Sequence, residues 1–216
     1  MNNYNNTEFI IFDVETTGLS PSGGDRIVEI AALKIKDFKP YTKFHSLINP
    51  QRDIFAGASA VNGITREMLH DAPTAQEVLP HFLKYIQNTV LVAYNAKFDV
   101  SFVANEVSLL GERFNETMAV IDVLKMARGL LPGLRQYPLW FVAQSLGVEE
   151  QQQHRALTDV MLTWEVFRKL IEIAERKNIH DVNGLTKLFA PQPGRPGSAD
   201  AGWLLSSKGR REEFSL

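Results

Sequence analysis

The chain contains no cysteine. That absence removes disulfide scaffolds, thiol catalysis and cysteine-bound zinc or iron–sulfur centres in one step. Long apolar runs are missing as well: no stretch approaches the ~18 consecutive apolar residues that a membrane helix needs. The start Met1-Asn2-Asn3-Tyr4-Asn5-Asn6 has neither the basic cluster nor the apolar run of a secretory signal, so a cytoplasmic protein with no membrane partner is expected. No charge of one sign dominates. Lys and Arg number 23 and Asp and Glu 25, a formal net charge of −2. This balance argues mildly against nonspecific nucleic-acid binding, which normally rests on a basic surface. What is present, 44% apolar and 22% charged over 216 residues, suits one globular core plus a tail at the usual ~100–200 residues per domain.

The run Glu8-Phe9-Ile10-Ile11-Phe12-Asp13-Val14 is almost continuously apolar, the pattern of a central strand buried on both faces. Pro21 and the pair Gly23-Gly24 then mark a turn. Residues 26–35 and 42–48 read as two more strands joined around Pro40, giving a three-stranded meander. Thr74-Ala75-Gln76-Glu77 has the form of a capping box ahead of Val78, Leu79, Phe82, Leu83 and Ile86. Pro80 inside that stretch predicts a kink or a later helix start. Short buried strands are expected at 90–93 and 119–121, each followed by a helix, the first over 97–110 and stopped by Gly111. The clearest helix carries Leu157, Val160, Met161, Trp164, Phe167, Ile171 and Ala174 at 3.6-residue spacing. Three strands followed by alternating helices and strands make an α/β domain with a mixed sheet.

Asp13 and Glu15 end the first strand. Residues two apart point the same way in a strand, so both carboxylates can reach one point in space. A D-x-E pair is weak alone and is explained as easily by a solvated strand end. Its place on the most buried strand, where an uncompensated acid is costly, gives it weight. Asp99 falls in the first turn of the following helix, where the dipole alone would favour a carboxylate. His154 and Asp159 open the long helix, Asp159 on the flank of its apolar stripe beside Ala156 and Thr163 and His154 free to swing over a site. Four converging acids would repel one another unless raised pKa values or bound cations relieved them. With one histidine and no cysteine among them, the donors are hard oxygens suited to Mg²⁺ or Mn²⁺. Two such ions roughly 4 Å apart serve phosphodiester chemistry, and a histidine with an ordinary pKa near 6.5 can take a proton from water.

Phe12-Asp13-Val14-Glu15-Thr16-Thr17-Gly18-Leu19, Asn95-Ala96-Lys97-Phe98-Asp99 and His154-Arg155-Ala156-Leu157-Thr158-Asp159 resemble, in order, spacing and context, the three motifs of the DEDDh 3′–5′ exonucleases. Further stretches are similar to the proofreading exonucleases of bacterial replicative polymerases, both the epsilon-type subunit and the domain within Gram-positive polymerases. These are Asn62-Gly63-Ile64-Thr65 with Met68-Leu69, Glu77-Val78-Leu79-Pro80, Val120-Ile121-Asp122, and Tyr137-Pro138-Leu139 ahead of Leu146-Gly147-Val148. The likeness covers about residues 8–173.

The resemblance implies a ribonuclease-H-like three-layer α/β fold with a mixed five-stranded central sheet flanked by helices. It implies hydrolysis at DNA 3′ ends, single-stranded or frayed, with release of nucleoside 5′-monophosphates in proofreading or repair, and two Mg²⁺ or Mn²⁺ ions per site. Asp13, Glu15 and Asp159 are assigned by it to one ion, Asp13 again to the second, with Asp99 reaching that ion directly or through water. His154 becomes the general base. Thr16, Thr17 and Gly18 would hold the 3′-terminal nucleotide, Leu19 and Ile64 would pack on terminal bases, and Asn95 and Phe98 would line the site. Nothing in the sequence excludes RNA as the substrate, or a silent module that binds nucleic acid or a polymerase without cutting. The expected layout is a flexible N-terminus at 1–7, an exonuclease domain at 8–189, and a Pro/Gly-rich linker and tail at 190–216. With no polymerase domain in 216 residues, the exonuclease is expected to stand alone or to join a DNA polymerase subunit through that tail.

Other residues carry weaker readings. Tyr94 stands where many members of that family have a histidine, and keeps an aromatic ring with a hydrogen-bonding tip. Glu29 reads as a metal neighbour, an exposed strand residue or a buried hydrogen-bonding acid. Asp122 reads as a helix cap. Lys125, Arg128 and Arg135 form a basic group that either meets phosphates or is a solvated helix face. Leu185-Thr186-Lys187-Leu188-Phe189 faintly resembles a sliding-clamp docking peptide, and otherwise reads as a helix-end apolar plug. His45, His70, His81 and His180 read as surface or structural.

Overall fold

In the computed structural model of the protein, the described residues are 4, 7–115, 118–149 and 154–191. Strand β1 (Phe9–Thr16) is buried at all 8 positions. It pairs antiparallel with β2 (Ile27–Lys36), which pairs antiparallel with the edge strand β3 (Lys39–Leu47). On its other side β1 runs parallel to β4 (Val90–Ala93), and β4 parallel to β5 (Val120–Asp122). The sheet is therefore mixed and five-stranded, in the order β3-β2-β1-β4-β5.

Eight α-helices are described, in chain order α1 (Ala56–Asn62), α2 (Arg66–His70), α3 (Ala75–Tyr85), α4 (Ala96–Leu109), α5 (Val123–Leu130), α6 (Leu139–Ser145), α7 (Ala156–Arg176) and α8 (Val182–Phe189). The strict alternation of β1 sorts them into two layers. Ile10, Phe12 and Val14 pack with Leu79 and Phe82 of α3 and Phe102 and Val103 of α4. Phe9 and Ile11 pack on the other face with Val160, Phe167 and Ile171 of α7, Leu124 of α5 and Leu185 of α8. Each such side chain contributes roughly 1.5–3 kcal/mol on burial. An ionised acid in the same strand instead costs several kcal/mol, so Asp13 and Glu15 stand there at the expense of stability.

The structure corrects two local expectations, the place of the β2–β3 turn and a later start for α3. The β2–β3 turn is not at Pro40 but at Asp37 and Phe38, with φ of +50° and +56°. Two left-handed residues are what a tight two-residue hairpin needs. Phe38 offsets its unfavourable backbone by edge-to-face contact with Tyr4 and a tilted contact with Trp164, both with ring centroids 6.3 Å apart. Pro40 lies inside edge strand β3, at the register irregularity opposite Ile35, a place where a missing N–H is tolerated. Helix α3 starts at Ala75, not later, because the Thr74–Glu77 capping box forms and the buried Val78, Leu79 and Phe82 hold the helix through Pro80. Within the stretch expected to be a flexible N-terminus, Tyr4 is seated in the core and its hydroxyl donates to the Ile179 carbonyl at 2.9 Å.

Leu185 and Phe189 of α8 are buried against α5 and β5, which is the apolar-plug reading of that segment. Lys125 Nζ donates to the Ala190 carbonyl at 2.8 Å and fixes the end of α8. The linker and tail expected from 190 lie, beyond Pro191, outside the described residues. Among the described residues no helix is long and apolar enough to cross a membrane.

Candidate active site

Asp13 and Glu15 continue the Phe9–Ile11 face of β1, the face that α7 covers. Asp159 comes from the first turn of α7, buried between Ala156 and Thr163. One carboxylate oxygen from each of Asp13, Glu15 and Asp159 lies within 4.8 Å of the other two. The three residues are 7%, 3% and 2% exposed, so bulk water screens their mutual repulsion little. A bound cation would relieve it. The donors are all hard oxygens at a shared focus, with no cysteine in the chain. That set fits a divalent ion of the Mg²⁺ or Mn²⁺ kind, so these three residues could hold a metal.

Asp99 arrives from the opposite layer, in the first turn of α4, and is buried. Its Oδ1 accepts the Val14 N–H at 3.1 Å, between Asp13 and Glu15 in sequence. It stands outside the 4.8 Å cluster, beside the strand end rather than within the focus.

His154 is half-buried, with φ of +51°, one residue ahead of the α7 cap Arg155. It was expected to swing freely, but the residues that follow it are anchored. Glu29 lies opposite Glu15 in the β1–β2 register, on the same face. Its Oε2 accepts Arg155 Nε at 3.1 Å and the Ala156 N–H at 3.1 Å, while its Oε1 accepts Arg155 Nη2 at 2.9 Å and lies 2.8 Å from His45 Nε2. Burial pushes the Glu29 carboxyl up, but the hydrogen bonds from Arg155, His45 and Ala156 together hold it below the usual glutamate value. The Arg155 guanidinium is held above its ordinary value by its hydrogen bond to Glu29, with the charge of Glu15 adding to that. Glu29 is thus the buried hydrogen-bonding acid among its three sequence readings. Its signal was an acid between Val28 and Ile30, but its partner lies 126 residues on.

The turn after β1 closes on itself. Thr16 Oγ1 donates to the Gly18 carbonyl at 2.6 Å. Thr17 Oγ1 donates to Asp25 Oδ1 at 3.2 Å and accepts the Arg26 N–H at 3.1 Å. Asp25 Oδ2 accepts the Ser20 N–H at 3.0 Å, and a Cβ at Gly18 would overlap the Asp25 carboxylate. Arg52 reaches in from the segment after β3 to Asp25, at 3.7 Å, and to the Gly24 carbonyl. Asp25 organises this turn, and the sequence reading did not single it out.

Of the two residues expected to pack on terminal bases, Leu19 is 38% exposed and Ile64 is 0% exposed. Ile64 belongs to a small core with Val28 and Leu69, so it offers no surface to a base in this structure. The exposed apolar side chains of that region are Phe55, Val61 and Met68. Asn95 caps α4 at a left-handed φ of +66° and its N–H donates to Asp122. Phe98 is buried with its ring centroid 4.8 Å from Phe102.

Asp122 caps α5 through the N–H groups of Leu124 and Lys125. Burial raises its pKa despite these donors. The Tyr94 hydroxyl donates to the Tyr137 carbonyl at 2.6 Å, and burial raises its pKa strongly. Arg128 and Arg135 lie over the rings of Tyr137 and Phe141 at 5.9 and 5.1 Å. Of the four remaining histidines only His45 touches a site element, and His70, His81 and His180 are exposed.

The family model described as Exonuclease, of RNase T type, matches residues 10–167. The chain is 39% identical over 182 residues to a DNA polymerase III of PolC type from Caldanaerobacter subterraneus subsp. tengcongensis, covering 84% of this chain and 13% of that protein. It is 36% identical over 175 residues to a DNA polymerase III subunit epsilon-like protein of Rhodobacter capsulatus, covering 79% of this chain and 25% of that one. The chain therefore spans a small part of either relative. Among solved structures, exonuclease X in complex with 5′-overhanging duplex DNA superimposes with a TM-score of 0.65 at 29% identity, over 83% of this chain and 98% of that one. E. coli exonuclease I with a dT13 oligonucleotide gives 0.67 at 19% identity, over 80% and 42%, a likeness of fold. With that match running through β1, α4 and most of α7, the chain belongs to the exonuclease family.

Proposed function

We propose that the chain hydrolyses phosphodiester bonds at DNA 3′ ends, single-stranded or frayed, releasing nucleoside 5′-monophosphates with the help of two Mg²⁺ or Mn²⁺ ions. The observation that carries this reading is the buried convergence of Asp13, Glu15 and Asp159 within 4.8 Å at the end of β1. These three residues would hold the metal, with Asp99 beside Asp13 at the second ion. When bound, the ions supply positive charge to the phosphate and a lowered pKa to water. His154 takes the proton from the attacking water. Thr16, Thr17 and Gly18 hold the terminal nucleotide chiefly through backbone, since the Thr16 and Thr17 hydroxyls are turned inward to the Gly18 carbonyl and Asp25. Asn95 and Phe98 line the site, and Leu19 supplies the exposed apolar contact to a terminal base. The polymerase III names of the relatives support a place beside a replicative DNA polymerase in proofreading; the contact proposed for it is residues 190–216.

A 5′-labelled oligonucleotide tests the reading. It should shorten stepwise in Mg²⁺ or Mn²⁺, stop with chelator and with Asp13→Ala, and slow sharply with His154→Ala. Cutting of a closed circular strand would mean an endonuclease, and no shortening of any end would sink the enzyme. A faster rate on a matched RNA strand would reassign the substrate. Deleting 190–216 should leave cleavage intact and abolish co-purification of a polymerase; loss of cleavage would place the tail within the fold.

A further inference from the structure

We infer that Glu29 and Arg155 form a positioning unit, which sets where His154 and Asp159 stand against Asp13 and Glu15 without touching the substrate. The inference rests on the proposed reading of this site as a nuclease centre, and goes beyond it by giving the site a device for its own alignment.

Helix α7 has no side-chain cap from its own N-cap residue Arg155. A helix start leaves its first N–H groups without intrahelical acceptors. Here the Ala156 N–H is satisfied by a carboxylate from another element, Glu29 of β2, at 3.1 Å. A negative charge at that point also suits the helix dipole. The guanidinium of Arg155 closes on the same carboxylate with two bonds, of 3.1 and 2.9 Å, which fixes direction as well as distance. Because Glu29 stands directly opposite Glu15, the start of α7 is pinned to the same rung of the sheet as one of the converging acids.

What is pinned carries the chemistry. His154 precedes the clamp by one residue and holds a left-handed φ of +51°, a conformation costly for histidine and kept only where the surroundings impose it. Asp159 follows the clamp within one turn, its N–H donating to the Arg155 carbonyl at 2.9 Å. Both Glu29 oxygens are occupied by donors, so Glu29 is a holder and not a ligand. A misplacement of about 1 Å in such a site costs on the order of 100-fold in rate.

The test uses Glu29→Gln, Arg155→Met and Arg155→Lys, each assayed well below its own melting temperature. Glu29→Gln and Arg155→Met should lower kcat roughly 30- to 100-fold with KM for an oligonucleotide within about threefold. Arg155→Lys should fall nearly as far, because it keeps the charge and loses the fork. The double variant Glu29→Gln/Arg155→Met should be no worse than the weaker single variant. The second readout needs neither metal nor activity. In histidine-labelled protein, the His154 imidazole resonance, identified by its loss in His154→Ala, should move toward that of an exposed, mobile histidine in both variants. Unchanged His154 resonances in folded variants, or a raised KM with kcat intact, would overturn the inference; so would an Arg155→Lys protein equal to wild type. A wild-type chain that cleaves nothing would fail the functional reading instead, and the imidazole resonance alone would then decide this one.

Discussion

Two sets of buried acids lie in or against this sheet and do opposite things. Glu29 and Glu106 are each 1% exposed, and each lies under an arginine. Glu106 of α4 takes Arg26 Nε at 2.8 Å, Arg26 Nη2 at 2.7 Å and the Ile27 N–H at 3.1 Å, much as Glu29 takes Arg155 and the Ala156 N–H. In both cases one carboxylate grips a guanidinium and the first N–H of an element, β2 or α7. Asp13, Glu15 and Asp159 are as well buried but gather on one another. Burial of an acid therefore does not mark it as a metal ligand. The company it keeps does: an arginine's two-bond grip makes the acid a clamp, whereas a focus shared by three acids suits a cation.

Substitution of Asp13 separates the two sets most sharply. Asp13→Ala should lower cleavage by roughly 10³-fold or more, while thermal melting stays level or rises because a buried like charge is gone. Retained cleavage would move Asp13 into the structural set. Glu106→Ala should do the reverse. Breaking a buried pair from one side costs about 3 kcal/mol, read as a shift of the urea midpoint, while cleavage by the folded fraction stays within a few-fold of wild type. A lost activity at full stability would erase the distinction.

Divalent ions give the next largest signal. At about 100 times its dissociation constant a bound ion adds about 2.7 kcal/mol of stability. Calorimetry with and without Mn²⁺ should show that gain in wild type and in Glu106→Gln, and little of it in Asp159→Asn. The smallest effect is on the clamp itself. Glu29 has a lowered folded-state pKa, so its contribution is fully present above the ordinary glutamate value of 4.5 and is lost as pH falls through the lower folded value. The stability gap between wild type and Glu29→Gln should accordingly shrink on acidification from neutral pH. A gap independent of pH would mean that the carboxylate charge does not act.

What the sequence made legible follows from distance along the chain. β1 was readable because its apolar run is local, and the cap Asp122 because the N–H groups that donate to it are two and three residues away. The converging acids could be nominated from strand alternation and helix starts, but their 4.8 Å meeting depends on β1 and α7 packing. Glu29 remained ambiguous for the same reason, because its partner Arg155 lies on another element, and Asp25 was not singled out at all. Ile64 shows the limit of an apolar letter, which reads alike whether it faces a base or Val28. Pro40 misled because Asp37 and Phe38 adopt the left-handed turn without a glycine to announce it.

The bond from the Ala156 N–H to Glu29 spans 127 residues, and that from the Val14 N–H to Asp99 spans 85. Contacts of such separation form late, since the intervening loop must close before they repay it. The β2–β3 hairpin and most of α7 can appear early from local interactions, yet neither alone assembles the three carboxylates. The proposed activity is thus timed by the chain's own topology: a nascent or half-folded molecule has strands and helices but no cutting centre, which forms only when β1 and α7 have met.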